Sequence, residues 1–196
     1  MKTLKANFRK LTMTLAAVMT VFQFATAQDL KLNTAASELT VFGTSNVHDW
    51  DIKAETMSGT AQFTMENNEI TNVGKLQLSI VAESLKSGKS GMDKNTYKAL
   101  NTSKHKNITY EMTSCLEVKK ITASTYEIKT RGNLTISGVT KQVPLTFKAA
   151  VDGKKVTLTG ETDLKMTTYN VEPPTALLGT IKTGDGLTIK YKAVYN

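Results

Sequence analysis

The sequence contains little of what most catalytic and metal sites are built from. Among 196 residues there are one cysteine, Cys115, two histidines and three prolines. A single thiol excludes an internal disulfide, so the fold must be stabilised by burial and backbone pairing. No Gly-rich phosphate loop or dinucleotide fingerprint is present. Beyond the first 27 residues no apolar run is long enough to cross a bilayer.

The first 27 residues have the pattern of a secretory signal peptide. Residues 2–10 carry four basic side chains, and residues 11–24 are mostly apolar and uncharged. Ala25 and Ala27 then supply the small residues that a signal peptidase reads. We expect cleavage between Ala27 and Gln28, which makes the mature chain periplasmic or secreted. A membrane anchor is the less favoured alternative, because the apolar run is short and rich in threonine.

The mature chain, residues 28–196, is long enough for one domain with a substantial core. The formal net charge of the full sequence is +8, and removal of the four basic residues before position 28 lowers it to +4. The remaining lysines are scattered among acidic residues. A nucleic-acid partner is therefore not expected, since it requires a clustered basic face.

The dominant pattern of the mature chain is a period-two alternation of apolar and polar side chains, which is typical of β-strands with one buried face. It runs through segments 75–80, 108–113, 126–129, 134–137, 143–149, 156–159 and 187–195. Turn residues separate these segments at 66–69, 152–153 and 184–186. Hairpin connections and the lack of a Cys-Trp-Cys pattern favour a single antiparallel up-and-down β-barrel of about eight strands over an immunoglobulin sandwich.

Two segments depart from the alternation. Met92, Tyr97 and Leu100 have helical spacing, with Asp93 close to the start, and predict a short inserted helix at about 91–101. A helical turn is expected near Asp163 to Tyr169, before a Pro-Pro pair. A barrel of about eight strands encloses either packed side chains or one slender ligand.

The residues offer only weak candidates for catalysis or metal binding. Ser45, His48 and Asp49 are close in sequence, but adjacent residues of an extended segment point to opposite faces, so Asp49 cannot easily orient His48. A metal site that uses His48, His105, Asp93 or Cys115 is conceivable, yet the spacing matches no known ligand pattern. We therefore expect no enzyme activity and no metal or cofactor.

Four parts of the mature chain carry motifs that occur together in one protein family. They are the run 39–50 (LTVFGTSNVHDW), residues 91–100 followed by 104–110, residues 132–141 (GNLTISGVTK), and Asp163 to Met166 with the Pro173-Pro174 pair and Gly179. They resemble, in this order, the opening motif, the central helix and next strand, the G-x-L-T-[apolar]-x-G-V-T-[KR] segment and the ending of the YceI-like family of exported lipid-binding proteins. Asn107 departs from the family, in which many members have proline at this position.

The resemblance implies a lipocalin-like antiparallel barrel with an elongated internal pore that holds a polyisoprenoid or a similar amphiphile, often in a homodimer. The predicted function is an exported carrier that sequesters a long-chain lipid, such as a polyisoprenoid, an isoprenoid quinone or a fatty acid, in an apolar pore. Two alternatives stay open, a structural or adhesion module with a filled core and a His-dependent hydrolase.

The apolar stripes that face inward beside the predicted helix give our own prediction of the ligand-binding residues. His48, His105 and Tyr97 are the polar candidates, which would fix a headgroup near the mouth of the pore. The full set is Val47, His48, Trp50, Leu76, Leu78, Ile80, Met92, Tyr97, His105, Ile108, Tyr110, Met112, Leu145, Phe147 and Met166.

Overall fold

A computed structural model describes residues 26–67 and 69–196 of the chain. Most of the predicted signal peptide lies outside these residues. Its last two positions, Thr26 and Ala27, begin the first strand, so the predicted cleavage site falls within that strand. Cleavage there stays a prediction.

The described residues form twelve strands that belong almost entirely to one antiparallel sheet. The strands are β1 (Thr26–Lys31), β2 (Glu38–Ser45), β3 (Trp50–Ala54), β4 (Met57–Glu66), β5 (Glu69–Val81), β6 (Leu85–Lys86), β7 (Asn107–Lys120), β8 (Thr125–Ile136), β9 (Val139–Asp152), β10 (Lys155–Lys165), β11 (Thr175–Ala176) and β12 (Ile181–Tyr195). The sheet order is β1-β4-β5-β7-β8-β9-β10-β12-β2-β3-β6, and β11 pairs with β12 outside this path.

The sheet closes on itself through the residues that follow β1. The N–H of Leu32 donates to the carbonyl of Gly59 on β4 (2.9 Å), and Leu32 also forms a bridge to Tyr195 on β12. The Lys31 N–H donates to the Asn196 carbonyl (3.1 Å), and the Asn196 N–H donates back to the Lys31 carbonyl (3.0 Å). These bonds give the end of β1, one edge of the sheet, partners on both β4 and β12, whereas the short β6 at the other edge pairs with β3. The edge at β1 is thereby protected from pairing with another chain.

Tight turns set the register of the hairpins. Ser137 and Gly138 join β8 to β9 with φ values of 49° and 77°, as a two-residue turn with left-handed residues requires. Gly153, with φ of 59°, is the first of two turn residues between β9 and β10, so the predicted Asp-Gly hairpin is confirmed with its turn one residue later. The predicted turn at 66–69 is also present between β4 and β5.

The wall of the barrel is not paired along its whole height. β9 and β10 are hydrogen-bonded only over 148–152 and 155–159. Pro144 lies on the part of β9 that has no β10 partner, where its missing N–H costs no ladder bond to that strand. A 3₁₀ helix at Met166–Tyr169 follows β10, and its residues Met166 and Tyr169 pack with Val171 against Leu134 and neighbouring side chains.

One α-helix, α1 (Ser90–Leu100), lies between β6 and β7 and confirms the helix predicted at about 91–101. It ends at Asn101, whose φ of 50° gives the left-handed conformation usual at a helix C-terminus. Short 3₁₀ helices occur at Thr34–Ala36 and Ala82–Ser84. The helical turn expected near Asp163 to Tyr169 begins later than predicted, at Met166, because β10 continues to Lys165.

The barrel class predicted from the alternation is confirmed, but two details are wrong. The sheet has twelve strands rather than about eight. Residues 184–186 are not a turn; they lie within β12, where its register with β2 shifts between Thr183 and Leu187. Glycines on both sides of Asp185 let the strand bend there without reversing the chain.

The interior holds two main groups of buried side chains. At one end, which we call the closed end, Phe63, Tyr126, Ile128, Phe147 and Tyr195 belong to a cluster in which every member is almost fully buried. At the other end a smaller cluster is built from Leu39, Ile52, Met57, Ile80 and Leu85, with Met92 and Leu100 of α1 packed against it.

Candidate functional site

A cavity of about 720 Å³ lies inside the barrel between the two clusters. Its volume is typical of sites that hold a small molecule, roughly 300–1,000 Å³. Most of its lining surface is apolar. The aliphatic side chains in it come from opposite sides of the barrel: Leu32, Leu39, Val41, Ile52, Leu76, Leu78, Ile80, Leu85, Leu100, Ile108, Leu134, Ile136, Val143, Leu145, Leu158, Leu164, Val171, Ile181, Leu187 and Ile189.

The cavity reaches the surface at the end of the barrel that carries α1. Exposed residues line it there, namely His48, Lys89, Gly91, Lys94 and Thr175. We call this opening the mouth. It is bordered by the β2–β3 loop, by the first half of α1 and by the segment 174–181. A long apolar molecule could therefore enter without unfolding a strand.

Trp50 forms part of the mouth because Gly43 leaves room for its ring. A β-carbon placed on Gly43 would lie 2.2 Å from Cζ2 of Trp50, so only glycine allows this contact. The indole N–H donates to the Thr44 carbonyl (2.9 Å), which satisfies its one polar group. Trp50 therefore both packs against the strand and lines the cavity.

Three tyrosines line the deep part of the cavity, and their hydroxyls are neutral at physiological pH. Burial raises the pKa of Tyr110, Tyr191 and Tyr195 above the usual value. The Tyr110 hydroxyl lies 3.2 Å from the Thr130 hydroxyl. The Tyr191 hydroxyl rests over Gly160 and has no hydrogen-bond partner among residues 26–67 and 69–196. These three hydroxyls thus bring no charge to the deep part of the cavity.

Two side chains anchor α1 beside the mouth. The Tyr97 hydroxyl donates to the Leu85 carbonyl (3.0 Å) and accepts a hydrogen bond from the Lys86 ammonium (2.6 Å). The Asp93 carboxylate accepts from both the N–H (2.8 Å) and the hydroxyl (2.6 Å) of Ser87. These bonds to the hydroxyl and N–H of Ser87, and more weakly the charge of Lys86, hold the pKa of Asp93 below its usual value.

Replacing Asp93 with alanine is expected to lower the free energy of unfolding by about 1 kcal/mol at neutral pH. The folded-state pKa is depressed, so the stabilisation is complete above the unfolded pKa of about 3.9 and is lost as the pH falls through the lower folded-state value. Urea unfolding of wild type and Asp93→Ala near pH 7 and near pH 2 measures this. Asp49→Ala, which removes an exposed carboxylate from the β2–β3 loop, is the control. If wild type and Asp93→Ala still differed by the same free energy of unfolding near pH 2, the stabilisation could not come from the ionised Asp93 carboxylate.

The sequence matches the model of the YceI-like domain over residues 30–195. The chain belongs to the YceI-like family. The match covers nearly all of the predicted mature chain and begins after the predicted signal peptide. No curated protein matches the sequence.

Solved structures share the fold of this YceI-like chain at low sequence identity. BcnA of Burkholderia cenocepacia superimposes with a TM-score of 0.66 at 17% identity, over 83% of this chain and 98% of BcnA. A polyisoprenoid-binding domain from Saccharophagus degradans gives a TM-score of 0.67 at 14% identity, over 85% and 97% of the two chains. The Campylobacter jejuni YceI protein gives 0.53 at 18% identity, over 71% and 80%. At these identities the similarity establishes the fold.

Most of the residues predicted to bind a ligand lie on the cavity of this YceI-like domain. His48, Trp50, Met92 and Met166 are at the mouth or beneath the segment that follows β10. The lining members of the predicted set are His48, Trp50, Leu76, Leu78, Ile80, Met92, Ile108, Tyr110, Leu145, Phe147 and Met166. Their contact with a ligand stays a prediction.

The other four predicted residues do not line the cavity. Val47 is 61% exposed, because the chain turns back after Ser45 and the strand alternation ends there. Tyr97 is turned towards Leu85 by its hydroxyl. His105 lies over Gly138, where a β-carbon would be 2.4 Å from the imidazole Cε1. Met112 packs against the closed-end cluster, just before the register of β7 and β8 shifts.

Several lining residues were not predicted. Leu134, Val143, Leu187, Ile189 and Tyr191 belong to alternating segments whose inward stripe was recognised, so choosing all members of each stripe would have found them. Tyr169 and Val171 lie in an irregular segment with no periodic signal. Their position follows only from the way this segment covers the unpaired edges of β9 and β10.

Ser45, His48 and Asp49 do not form a catalytic triad. The Ser45 hydroxyl donates to the backbone carbonyl of His48 (2.8 Å), and the His48 Nδ1 lies 2.8 Å from the Asp49 backbone carbonyl. The imidazole therefore does not accept the serine proton, as nucleophilic catalysis would require. Across the described part of the chain, no group of three His, Cys, Asp or Glu side chains is arranged to hold a metal ion.

No helix within residues 26–67 and 69–196 is long and apolar enough to span a bilayer.

Proposed function

We propose that this YceI-like protein is an exported binding protein that holds a long-chain amphiphilic lipid in its barrel, without catalysing a reaction on it. The observation that carries the proposal is the cavity of about 720 Å³, which has a mainly apolar lining and an opening beside α1. A structural module would gain stability by filling such a space, because an empty apolar cavity reduces packing.

The ligand class follows from the shape and chemistry of the lining. The mouth carries His48, Lys89 and Lys94, whereas the tyrosines at the deep end carry neutral hydroxyls. Glu38 and Lys192 also border the cavity, but both are exposed to solvent. A polyisoprenoid, an isoprenoid quinone or a fatty-acid-like molecule fits this arrangement, with its apolar chain inside and its polar group at the mouth. The structurally similar Saccharophagus degradans domain is a polyisoprenoid-binding domain, which supports the first of these classes.

Burial of the chain supplies the binding free energy. Each methylene group removed from water contributes about 0.8 kcal/mol in transfer terms. The realised gain for large ligands is nearer 0.3 kcal/mol per heavy atom, because ordering of the ligand and protein opposes binding. A ligand of about 25 heavy atoms would then bind with roughly 7–8 kcal/mol, which corresponds to a low micromolar dissociation constant.

Native mass spectrometry of protein purified without detergent from its own host tests the proposal. We expect a co-purifying lipid of the predicted class and a mature chain that begins at Gln28. The delipidated protein should bind retinol, a fluorescent isoprenoid alcohol, with a rise in fluorescence. Absence of any bound lipid, together with no retinol binding by the delipidated protein, would overturn the assigned function.

A further inference from the structure

Three apolar side chains at the mouth point into solvent. Val47 on the β2–β3 loop is 61% exposed, Leu177 is 72% exposed and Leu178 is 108% exposed. The two leucines are the first residues of the four-residue loop 177–180 between β11 and β12. No side chain of the described residues covers Leu178, so this loop gains no burial from it. We call these three residues the rim patch.

The two loops that carry the rim patch are joined to each other. The Asn46 side-chain amide donates to the Thr180 carbonyl (2.9 Å), and its side-chain oxygen accepts from the Lys182 N–H (2.8 Å). The Asn46 N–H also donates to the Lys182 carbonyl (3.1 Å). Val47 is therefore held on the same side of the mouth as the leucine loop.

The leucines stand where other residue types would suit the backbone better. Leu177 has φ of 48° and Leu178 has φ of 55°, and Gly179 follows with φ of 87°. A left-handed conformation crowds the β-carbon of an ordinary residue, and turns of this kind usually carry asparagine, aspartate or glycine. Leucine at these positions has an unfavourable backbone conformation and leaves its apolar side chain in water. Because the two side chains are 72% and 108% exposed, packing against the described residues offsets little of this cost.

The rim patch borders the opening through which a ligand must pass. Pro174, Thr175, Ala176 and Ile181, on both sides of the leucine loop, line the cavity. An apolar surface that touched the hydrocarbon edge of a bilayer would place the mouth directly against its lipids. A long-chain lipid could then move from the bilayer into the barrel without its chain crossing water.

The charged residues at the mouth fit a bilayer with anionic headgroups. Lys89 and Lys94 line the opening and Lys182 follows the leucine loop, whereas Asp49 and Glu172 are the exposed acidic residues in or next to the same segments. The Asp93 carboxylate of α1 is buried and bonded to Ser87. This small basic excess adds a weak attraction to anionic lipids. The exposed leucines and Val47 supply the larger share of the free energy of bilayer binding, because their side chains are removed from water when they enter the interface.

We propose that the rim patch is a docking surface for a lipid bilayer, from which the protein collects or to which it delivers the ligand of its cavity. The inference rests on the proposed function, since a protein without a lipid ligand would have no use for this surface. The occupant is the bilayer itself rather than a partner protein or a second copy of the chain.

The test compares two doubly substituted proteins with the wild type. Leu177→Asn with Leu178→Asn removes the apolar side chains and keeps residues that tolerate positive φ. Leu116→Asn with Ile121→Asn is the matched control, because these side chains are 51% and 52% exposed and lie on β7 and in the turn after it, away from the mouth. Co-sedimentation is measured with vesicles of phosphatidylethanolamine and phosphatidylglycerol.

We expect the leucine-loop variant to bind these vesicles about tenfold or more weakly than the wild type, and the control to bind as the wild type does. Retinol binding in free solution should be unchanged in both variants, because neither alters the cavity. Transfer of retinol from vesicles to the protein should be slowed only in the leucine-loop variant.

Three results would overturn the inference, and they are distinguishable from failure of the proposed function. If the wild type binds retinol in solution but does not bind vesicles, bilayer docking is excluded and the proposed lipid-binding function is unaffected. Equal vesicle binding by the leucine-loop variant and the wild type would exclude the rim patch. Wild-type dimers in sedimentation analysis that become monomers in the leucine-loop variant would assign the patch to self-association instead. If the wild type neither carries a co-purified lipid nor binds retinol in solution after delipidation, the proposed function itself fails.

Discussion

Replacing Leu78 with tryptophan is expected to weaken the binding of a long isoprenoid ligand on the order of a hundredfold. Leu78 packs against both interior clusters and lines the cavity between them. A tryptophan ring at this point would separate the deep half of the cavity from the mouth. Excluding about ten ligand heavy atoms, each worth about 0.3 kcal/mol, costs about 3 kcal/mol. Titration of the delipidated variant with retinol measures the loss.

The neighbouring residue provides the control for this substitution. Ser79 lies next to Leu78 on β5, and the strand alternation places its side chain on the outer face of the barrel. Ser79→Trp adds the same ring outside the cavity and should leave ligand affinity within a factor of about two to three. Ligands with a short apolar chain should bind Leu78→Trp nearly as well as the wild type. Unchanged affinity of Leu78→Trp for the long ligand would show that the ligand does not occupy the middle of the barrel.

The second large effect concerns the floor of the cavity. Phe147→Ala should lower the free energy of unfolding by about 3 kcal/mol or more, because Phe147 is 2% exposed and belongs to the closed-end cluster. For a domain of this size the loss corresponds to a fall in Tm of roughly 6–12 °C. Urea unfolding of delipidated protein gives the first quantity, and thermal unfolding followed by circular dichroism gives the second.

Phe42→Ala removes the same side chain from the barrel surface and serves as the comparison. Phe42 is 39% exposed, and its ring centroid lies 5.7 Å from the Lys190 ammonium. Its loss should cost about 1 kcal/mol or less, most of it from this cation–π contact. Ligand at a hundred times its dissociation constant should stabilise Phe42→Ala by about 2.7 kcal/mol. If Phe147→Ala and Phe42→Ala lost similar free energies of unfolding, the closed end would not be the main core of the barrel.

The strands that the sequence predicted are those in which large apolar residues alternate with polar ones. Segments 143–149 and 187–195 fall within β9 and β12 and show this pattern clearly. β4 was not predicted, although Met57, Ala61 and Phe63 are buried at alternate positions. Gly59 stands between Met57 and Ala61, so the inward stripe is too weakly hydrophobic to be recognised. β1, β2, β3 and the very short β6 and β11 were missed as well. Segments 126–129 and 134–137, predicted separately, both lie in β8. The missed strands therefore account for the higher strand count.

The polar candidates for the mouth show where local pattern stops being informative. His48, Tyr97 and His105 were chosen for their chemistry, yet only His48 lines the cavity. Tyr97 is turned away by bonds to Leu85 and Lys86, and His105 by contact with Gly138, a residue 33 positions later in the chain. A side-chain direction in a loop or a helix depends on such distant partners, which no local spacing reveals.

The sequence by itself determined that this chain is an antiparallel barrel with a short helix inserted near residue 91, because alternation, turn residues and helical spacing are properties of neighbouring residues. Only the tertiary structure decided that the inward side chains leave a cavity instead of meeting across it. That outcome depends on the distance between opposite walls, which is set by strand pairing and by the closure of the Leu32 region onto β12. The rim patch has the same origin, since Val47 and Leu178 are far apart in sequence and their loops lie on the same side of the mouth because Asn46 joins them.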